Sequence, residues 1–415
     1  MIDSKLNPLA DIFLPPYIKN KDSVSDITEF KEKCEGFSKK HKQVLCDDLS
    51  LNIELIDTNV KEDLSNYEIV ELKKLSQSKL NEKELAHIIY THNKVVNSGL
   101  PNYQGFKIPV KTRINVEFFR DNLLDYKEKV ICEYLEFGAP IGVQGCLNVS
   151  EIDIKNHKGA SEFSSDIYKY LRKEASYGSI IGPFESNPFD CQFKISPLNS
   201  VTKKDSSKRR VILDLSFPSG CSVNDNISKD IYLGEKIEVT YPNIDDFVGI
   251  LKNKGRGGLM FKKDLKRAYR QLPICPGDLN LEGFNWNGYL FADRVLPMGL
   301  RSSAQICQRI TSITFMYFKL GYMMVNYLDD FGGAETKEKG WKTHETLGEL
   351  LMSCGLEESV GKAVTPTTKT TFLGVIFDSE KMTLEVTPER VVEISLLVES
   401  WLKKKKSFKR TSMSF

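Results

Sequence analysis

From about residue 180 onward, short apolar runs are broken by single polar positions or glycines, and between them apolar residues recur at three- and four-residue steps. This alternation predicts strands interleaved with helices, an α+β arrangement. The clearest helical pattern places Ile306, Ile310, Ile313, Tyr317 and Leu320 on one face, with Ser302 or Ser303 as its cap and Gly321 as its stop. The helix leads into Met323-Met324-Val325, which with Phe331 predicts two buried strands. Between them, Tyr327-Leu328-Asp329-Asp330 reads as a β-hairpin presenting both acids at its tip, with Gly332-Gly333 behind.

The N-terminal quarter is charge-rich and helical in places. Leu80, Leu85, Ile88, His92 and Val95 share one period before Gly99, so His87 and His92 read as surface or packing residues of a helix rather than ligands. Residues 100–105 read as a linker, with a domain boundary near 100, and two short amphipathic helices are predicted around 116–126 and 127–137.

Adjacent carboxylates between two buried strands are costly unless a cation compensates them. Asp47-Asp48 and Asp245-Asp246 have polar surroundings and read as solvated turns, but Asp329-Asp330 does not. A third acid, Asp264, ends the apolar run Leu259-Met260-Phe261 and precedes Leu265-Lys266-Arg267-Ala268-Tyr269-Arg270-Gln271. Three acids at strand ends can hold two metal ions roughly 3.5–4 Å apart, one activating a hydroxyl and the other neutralising a leaving group. Phosphoryl transfer suits that geometry.

Composition narrows the class without naming it. With 415 residues, 40% hydrophobic and 27% charged, the chain is expected to be soluble and globular, with room for two or three domains. A net charge of +2 means that nucleic-acid binding must be sought in local clusters. Lys203, Lys204, Lys208, Arg209 and Arg210 surround Asp205, and Lys262, Lys263, Lys266, Arg267 and Arg270 surround Asp264; the default for each is a solvated charged face. Nine cysteines without a Cys-x-x-Cys pair, and five histidines outside any Cys/His set, suggest a reduced intracellular protein of cytoplasm or nucleus, without structural zinc. The start lacks signal-peptide character and no apolar stretch approaches membrane-spanning length.

Four ordered blocks carry a resemblance: Phe261–Pro273, Leu296–Ala304, Tyr327–Asp330 and Phe372–Val375. They resemble the motifs of reverse transcriptases. The upstream segments Ile195–Val201 and Lys203–Ser216 look like the fingers of these enzymes, closest in appearance to DIRS-like, tyrosine-recombinase retroelements. The resemblance covers residues 180–400 well and 101–175 more loosely, and does not reach 1–100. It implies an α+β palm and fingers of the right-hand polymerase type behind a helical N-terminal region, with a truncated thumb. The expected segments are 1–100, a charge-rich, partly helical region; 101–177, a helical upstream segment; 178–377, fingers and palm; and 378–415, a thumb start with a basic tail.

The resemblance assigns roles residue by residue. Asp264, Asp329 and Asp330 match the metal-site carboxylates, implying two magnesium ions, or manganese; physically, Asp264 and Asp329 are the better ligands and Asp330 positions the site. Lys203 and Arg210 match the fingertip contacts to the triphosphate, a role suited to a mobile ammonium and a bidentate guanidinium. Tyr269 matches the residue that excludes a ribose 2′-hydroxyl, favouring a DNA product. Gly299 permits close backbone approach to the nucleotide, while Met298, where many relatives carry glutamine, reads as packing. Lys362 matches a lysine that protonates departing pyrophosphate, and Phe372, Leu373 and Gly374 match the primer grip. The implied partners are an RNA or DNA template with its primer and deoxynucleoside triphosphates. The rival reading is a truncated, non-catalytic nucleic-acid-binding protein derived from a retroelement.

Overall fold

The computed structural model describes residues 61–99, 107–145, 154–203, 209–309 and 312–403. Among the described residues six helices precede the first strand: α1 (Lys61–Lys79), α2 (Glu82–Asn97), α3 (Val116–Asn122), α4 (Val130–Phe137), α5 (Lys158–Glu162) and α6 (Ser164–Tyr177). Strands β1 (Ile180–Phe184), β2 (Leu198–Thr202), β3 (Arg209–Leu213), β4 (Ile231–Tyr232) and β5 (Glu235–Lys236) lead to α7 (Ile244–Lys254). Then follow β6 (Leu259–Asp264), β7 (Gly283–Trp286), β8 (Tyr289–Asp293), α8 (Ser303–Gln308), α9 (Ser312–Lys319), β9 (Met324–Tyr327), β10 (Asp330–Glu335) and α10 (Gly340–Ser353). The last elements are β11 (Val364–Thr367), β12 (Lys369–Phe372), β13 (Val375–Asp378), β14 (Thr383–Val386) and α11 (Pro388–Lys403). The α+β expectation is met.

The central sheet has the order β11-β6-β10-β9, with every neighbouring pair antiparallel. Smaller sheets, β1-β8-β7 and β12-β13-β14, and the hairpins β2-β3 and β4-β5 complete the set. The glycine pair in β10 has a packing cause. A Cβ on Gly332 would meet the Phe372 ring at 2.8 Å, and one on Gly333 would meet the Phe261 ring at 2.5 Å. Successive strand residues face opposite sides, so an aromatic ring presses on each face of the strand that begins with Asp330.

One buried cluster joins the N-terminal helices to the sheets: Leu72 of α1 and the adjoining Leu80 share it with Leu171, Phe291 and Leu351. His92, fully buried in α2, donates from Nδ1 to Pro276 O at 2.7 Å and packs on Phe189, as a packing histidine does. The core is therefore continuous across position 100. A second cluster, Phe247, Met260, Val325, Phe372 and Phe377, fastens α7 and the β12-β13 hairpin to the central sheet.

Local expectations are corrected in three places. The pattern expected to form one helix from Ser302 to Leu320 forms α8 and α9, with Ile310 outside the described residues. Ser302 does stand at the N-cap of α8, but neither hydroxyl bonds the helix end: Ser302 Oγ donates to Ile141 O and Ser303 Oγ to Pro297 O. Asp245-Asp246 is the first turn of α7, where Asn243 and Asp246 form a reciprocal cap; Asp47-Asp48 lies outside the described residues. The two upstream helices are shorter than expected, α3 ending at Asn122 and α4 starting at Val130.

Candidate active site

Strand register brings the three acids together. Asp264 is the last residue of β6 and Asp330 the first of β10, and the two are direct partners. Cross-strand partners present their side chains on one face, so the carboxylates share a side of the sheet. Asp329 stands next to them in the turn, where its carbonyl accepts from Leu265 N at 2.9 Å. The expected hairpin tip needs correction: the two-residue turn is Leu328-Asp329, with Leu328 at φ 55°, and Asp330 is already paired with Tyr327.

Gln308, which the sequence reading passed over, fixes this tip. Its Oε1 accepts from Leu328 N at 2.7 Å and its Nε2 donates to Asn326 O at 2.9 Å, while Asn326 Nδ2 donates to Leu328 O at 2.8 Å. Gln308 is 2% exposed. A buried amide among apolar helix positions was its only signal in the sequence.

Two ammonium groups meet the acids. Lys362 Nζ lies 3.0 and 3.2 Å from the two Asp264 oxygens, and Lys262 Nζ lies 2.9 Å from Asp330 Oδ1. Burial raises the Asp329 carboxyl above its ordinary range, and the Asp264 charge adds to this. Burial also raises Asp330; Lys262 opposes the rise, while Asp329 and Asp264 reinforce it. The hydrogen bond to Asp264 raises Lys362. Among the described residues, no three His, Cys, Asp or Glu side chains stand at metal-holding spacing. The donor set nevertheless has the chemistry a hard divalent cation requires: oxygen ligands, mutual repulsion, and positive charge already drawn to two of the three acids.

Tyr269, in the 3-10 turn Ala268–Gln271, is half-buried. Burial raises its phenol, and the neighbouring Cys307 thiol, Asp329, Tyr241 and Tyr327 push the same way, so the ring stands beside the acids. Gly299 sits at φ 104°, and its carbonyl accepts from Asn224 Nδ2 at 2.8 Å; Asn224 Oδ1 also accepts from Arg301 N. This asparagine, also unforeseen, ties the Gly299 loop to the segment after β3. Met298 is 47% exposed, so the packing role expected of it is not found.

Lys203 and Arg210 are both exposed on the β2-β3 hairpin, Lys203 just after β2 and Arg210 opposite Val201. Arg209 is tied down instead, donating to Ser200 Oγ and lying 3.3 Å over the Phe163 ring. Lys204 and Lys208 lie outside the described residues. The cluster around Asp264 is not the solvated face expected of it: Lys263 pairs with Glu358 at 2.8 Å, Lys266 with Glu357, Arg267 with Glu174, and Arg270 with Asp293 at 2.6 Å.

Phe372-Leu373-Gly374-Val375 forms the β12-β13 turn, with Leu373 at φ 49° and Gly374 at φ 77°. Phe372 is buried against Phe247, their ring centroids 5.0 Å apart, and against Gly332, two residues beyond Asp330. Gly374, at the tip, is exposed.

No family model matches the chain, and no curated protein sequence does. Among solved structures, a foamy viral protease-reverse transcriptase in complex with double-stranded DNA aligns at a TM-score of 0.48 and 17% identity, over 83% of this chain and 51% of that one. Another in complex with an RNA/DNA hybrid aligns at 0.47 and 18%, over 72% and 40%. The native prototype foamy virus enzyme aligns at 0.45 and 17%, over 85% and 41%. The chain thus spans about half or less of the length of these three proteins.

Proposed function

We propose that this chain is the fingers-and-palm portion of an RNA-directed DNA polymerase, adding deoxynucleotides to a primer 3′-hydroxyl on an RNA or DNA template. The observation that carries the reading is the register of β6 and β10, which sets Asp264 and Asp330 face to face with Asp329 beside them. Two divalent ions, magnesium by the hardness of the donors, would be held chiefly by Asp264 and Asp329 and would supply hydroxyl activation and charge neutralisation when bound.

The remaining roles belong to the chain's own side chains. The Tyr269 ring fills the space a ribose 2′-hydroxyl would need. Gly299 lets the backbone approach the nucleotide, and the exposed Lys203 and Arg210 meet its triphosphate. Lys362 holds a proton within reach of Asp264, as a general acid for a pyrophosphate leaving group requires. The Phe372-Leu373-Gly374 turn, braced on β10, supports the primer. Assignment to a retroelement of DIRS-like type rests on the sequence phrases from Ile195 to Ser216.

One observation favours the second reading, a non-catalytic nucleic-acid-binding derivative: Lys262 and Lys362 already neutralise two of the three acids, and no metal-spaced set stands among the described residues. Primer extension by the purified chain with magnesium or manganese separates the two. The catalytic reading expects extension that Asp264→Asn and Asp329→Asn each abolish, with template binding changed no more than a few-fold. Template binding without extension in the parent, or near-normal extension by either mutant, rejects it.

A further inference from the structure

Apart from the acidic site, the described residues enclose a cleft of about 360 Å³ between α2, residues 109–111 and residues 273–279. That volume is within the range of small-molecule sites, roughly 300–1,000 Å³. Its walls are apolar, with Leu80, Ile88, Val110, Ile274 and Leu279 joined by three prolines. Small-ligand sites combine such walls with a few placed polar groups, and here three of those groups, Lys83, Lys111 and Arg294, are cationic.

Lys83, His87, Lys111 and Arg294 line the cleft, against a single carboxylate, Glu84. Glu84 is already engaged, accepting from Lys111 Nζ at 2.6 Å and from Asn81 N at 2.9 Å. Among the described residues no acid stands within 4 Å of the Arg294 guanidinium, although the Glu84 charge acts on it; it donates to the Gly178 and Lys111 carbonyls at 3.1 and 2.7 Å.

We propose that this cleft is a binding site for a small amphiphilic carboxylate, its hydrocarbon part on the Leu80–Ile88–Leu279 wall and its anionic end toward Arg294 and Lys83. An alkylammonium of the same length is repelled by these cations, and a neutral alcohol gains only the apolar wall. The proposal stands independently of the polymerase reading, because none of these residues belongs to the acidic site.

The test is calorimetric titration of the full chain with dodecanoate, dodecanol and dodecylammonium, each below its micellar concentration. Saturable one-to-one binding of dodecanoate is expected, at least tenfold tighter than dodecylammonium. Ile88→Trp, which fills the cleft from a half-exposed position, should abolish binding, and Lys83→Glu, on the surface, should weaken dodecanoate at least threefold. Circular dichroism of both variants checks that they fold. Absence of saturable binding, equal affinity for the ammonium, or unchanged affinity in folded Ile88→Trp overturns the proposal.

Discussion

Two groups of acids lie at opposite sides of the turn that follows β6, and the cations that meet them are of different kinds. Behind the turn, Glu174 and Asp293 are 3% and 1% exposed, and Arg267 and Arg270 are locked onto them. In front, Asp264, Asp329 and Asp330 face Lys262 and Lys362, and the Lys362 side chain is 64% exposed. Fixed guanidiniums in a dry interior neutralise permanently, whereas an ammonium on a flexible, wet stem can be displaced. The first arrangement holds the fold together. The second is where the proposed function sets its divalent cations.

The short turn Ala268–Gln271 belongs to both groups. Arg270 points back to Glu174 and Asp293 while Tyr269, one residue earlier, stands beside Asp329. Replacing neighbours in this turn should therefore give opposite phenotypes.

The largest effect is expected behind the turn. Arg270→Met strands the buried Asp293 carboxylate and leaves Glu174 with Arg267 alone, and should cost about 3–5 kcal/mol of stability in urea denaturation. Lys362→Met should cost only about 1–2 kcal/mol, and added magnesium should recover more of that loss than it adds to the parent. Equal losses for the two variants would erase the distinction between fixed and displaceable cations.

In front of the turn, Tyr269→Ala should leave the unfolding free energy from urea denaturation within about 1–2 kcal/mol of the parent, since the ring is half-buried. Its effect should appear in substrate choice, with ribonucleotide incorporation rising about 10–200-fold relative to deoxynucleotides. Unchanged discrimination in primer extension would remove the steric role from this residue.

The smallest effect is a pH slope. Glu282 is fully buried, its two oxygens have no hydrogen-bond partner among the described residues, and burial first, then Asp293 and Asp278, raise it well above 4.5. Its folded form keeps a proton that the unfolded chain releases. Its contribution to stability is full below pH 4.5 and declines as pH rises toward the folded value, by at most about 1.4 kcal/mol per unit. Glu282→Gln should flatten that decline, which urea midpoints at pH 5 and pH 8 will reveal; parallel pH dependences would mean that Glu282 is ionised in the native state.

Legibility in the sequence followed the range of the interactions. The β9 and β10 strands, the glycine pair and the proximity of Asp329 to Asp330 were readable because alternation and turn chemistry act over a few residues. The helical patterns are legible too, but not how far each helix runs or what its cap hydroxyls bond. The Ser302 and Ser303 hydroxyls were taken by the carbonyls of Ile141 and Pro297, and the first of these lies 161 positions away.

What the sequence by itself determined is the set of local elements and the presence of three acids at strand ends. Only the tertiary structure decided that Asp264 would face Asp330, that Lys362 would reach Asp264 across 98 positions, and that Gln308 would clamp the hairpin. It also decided the fate of the basic run from Lys262 to Arg270. As sequence it looked like a solvated face, but each residue found its own acid: Asp330, Glu358, Glu357, Glu174 and Asp293. The physical reason is that an ion pair depends on distance in space and on burial, and neither is a property of neighbouring positions in the chain.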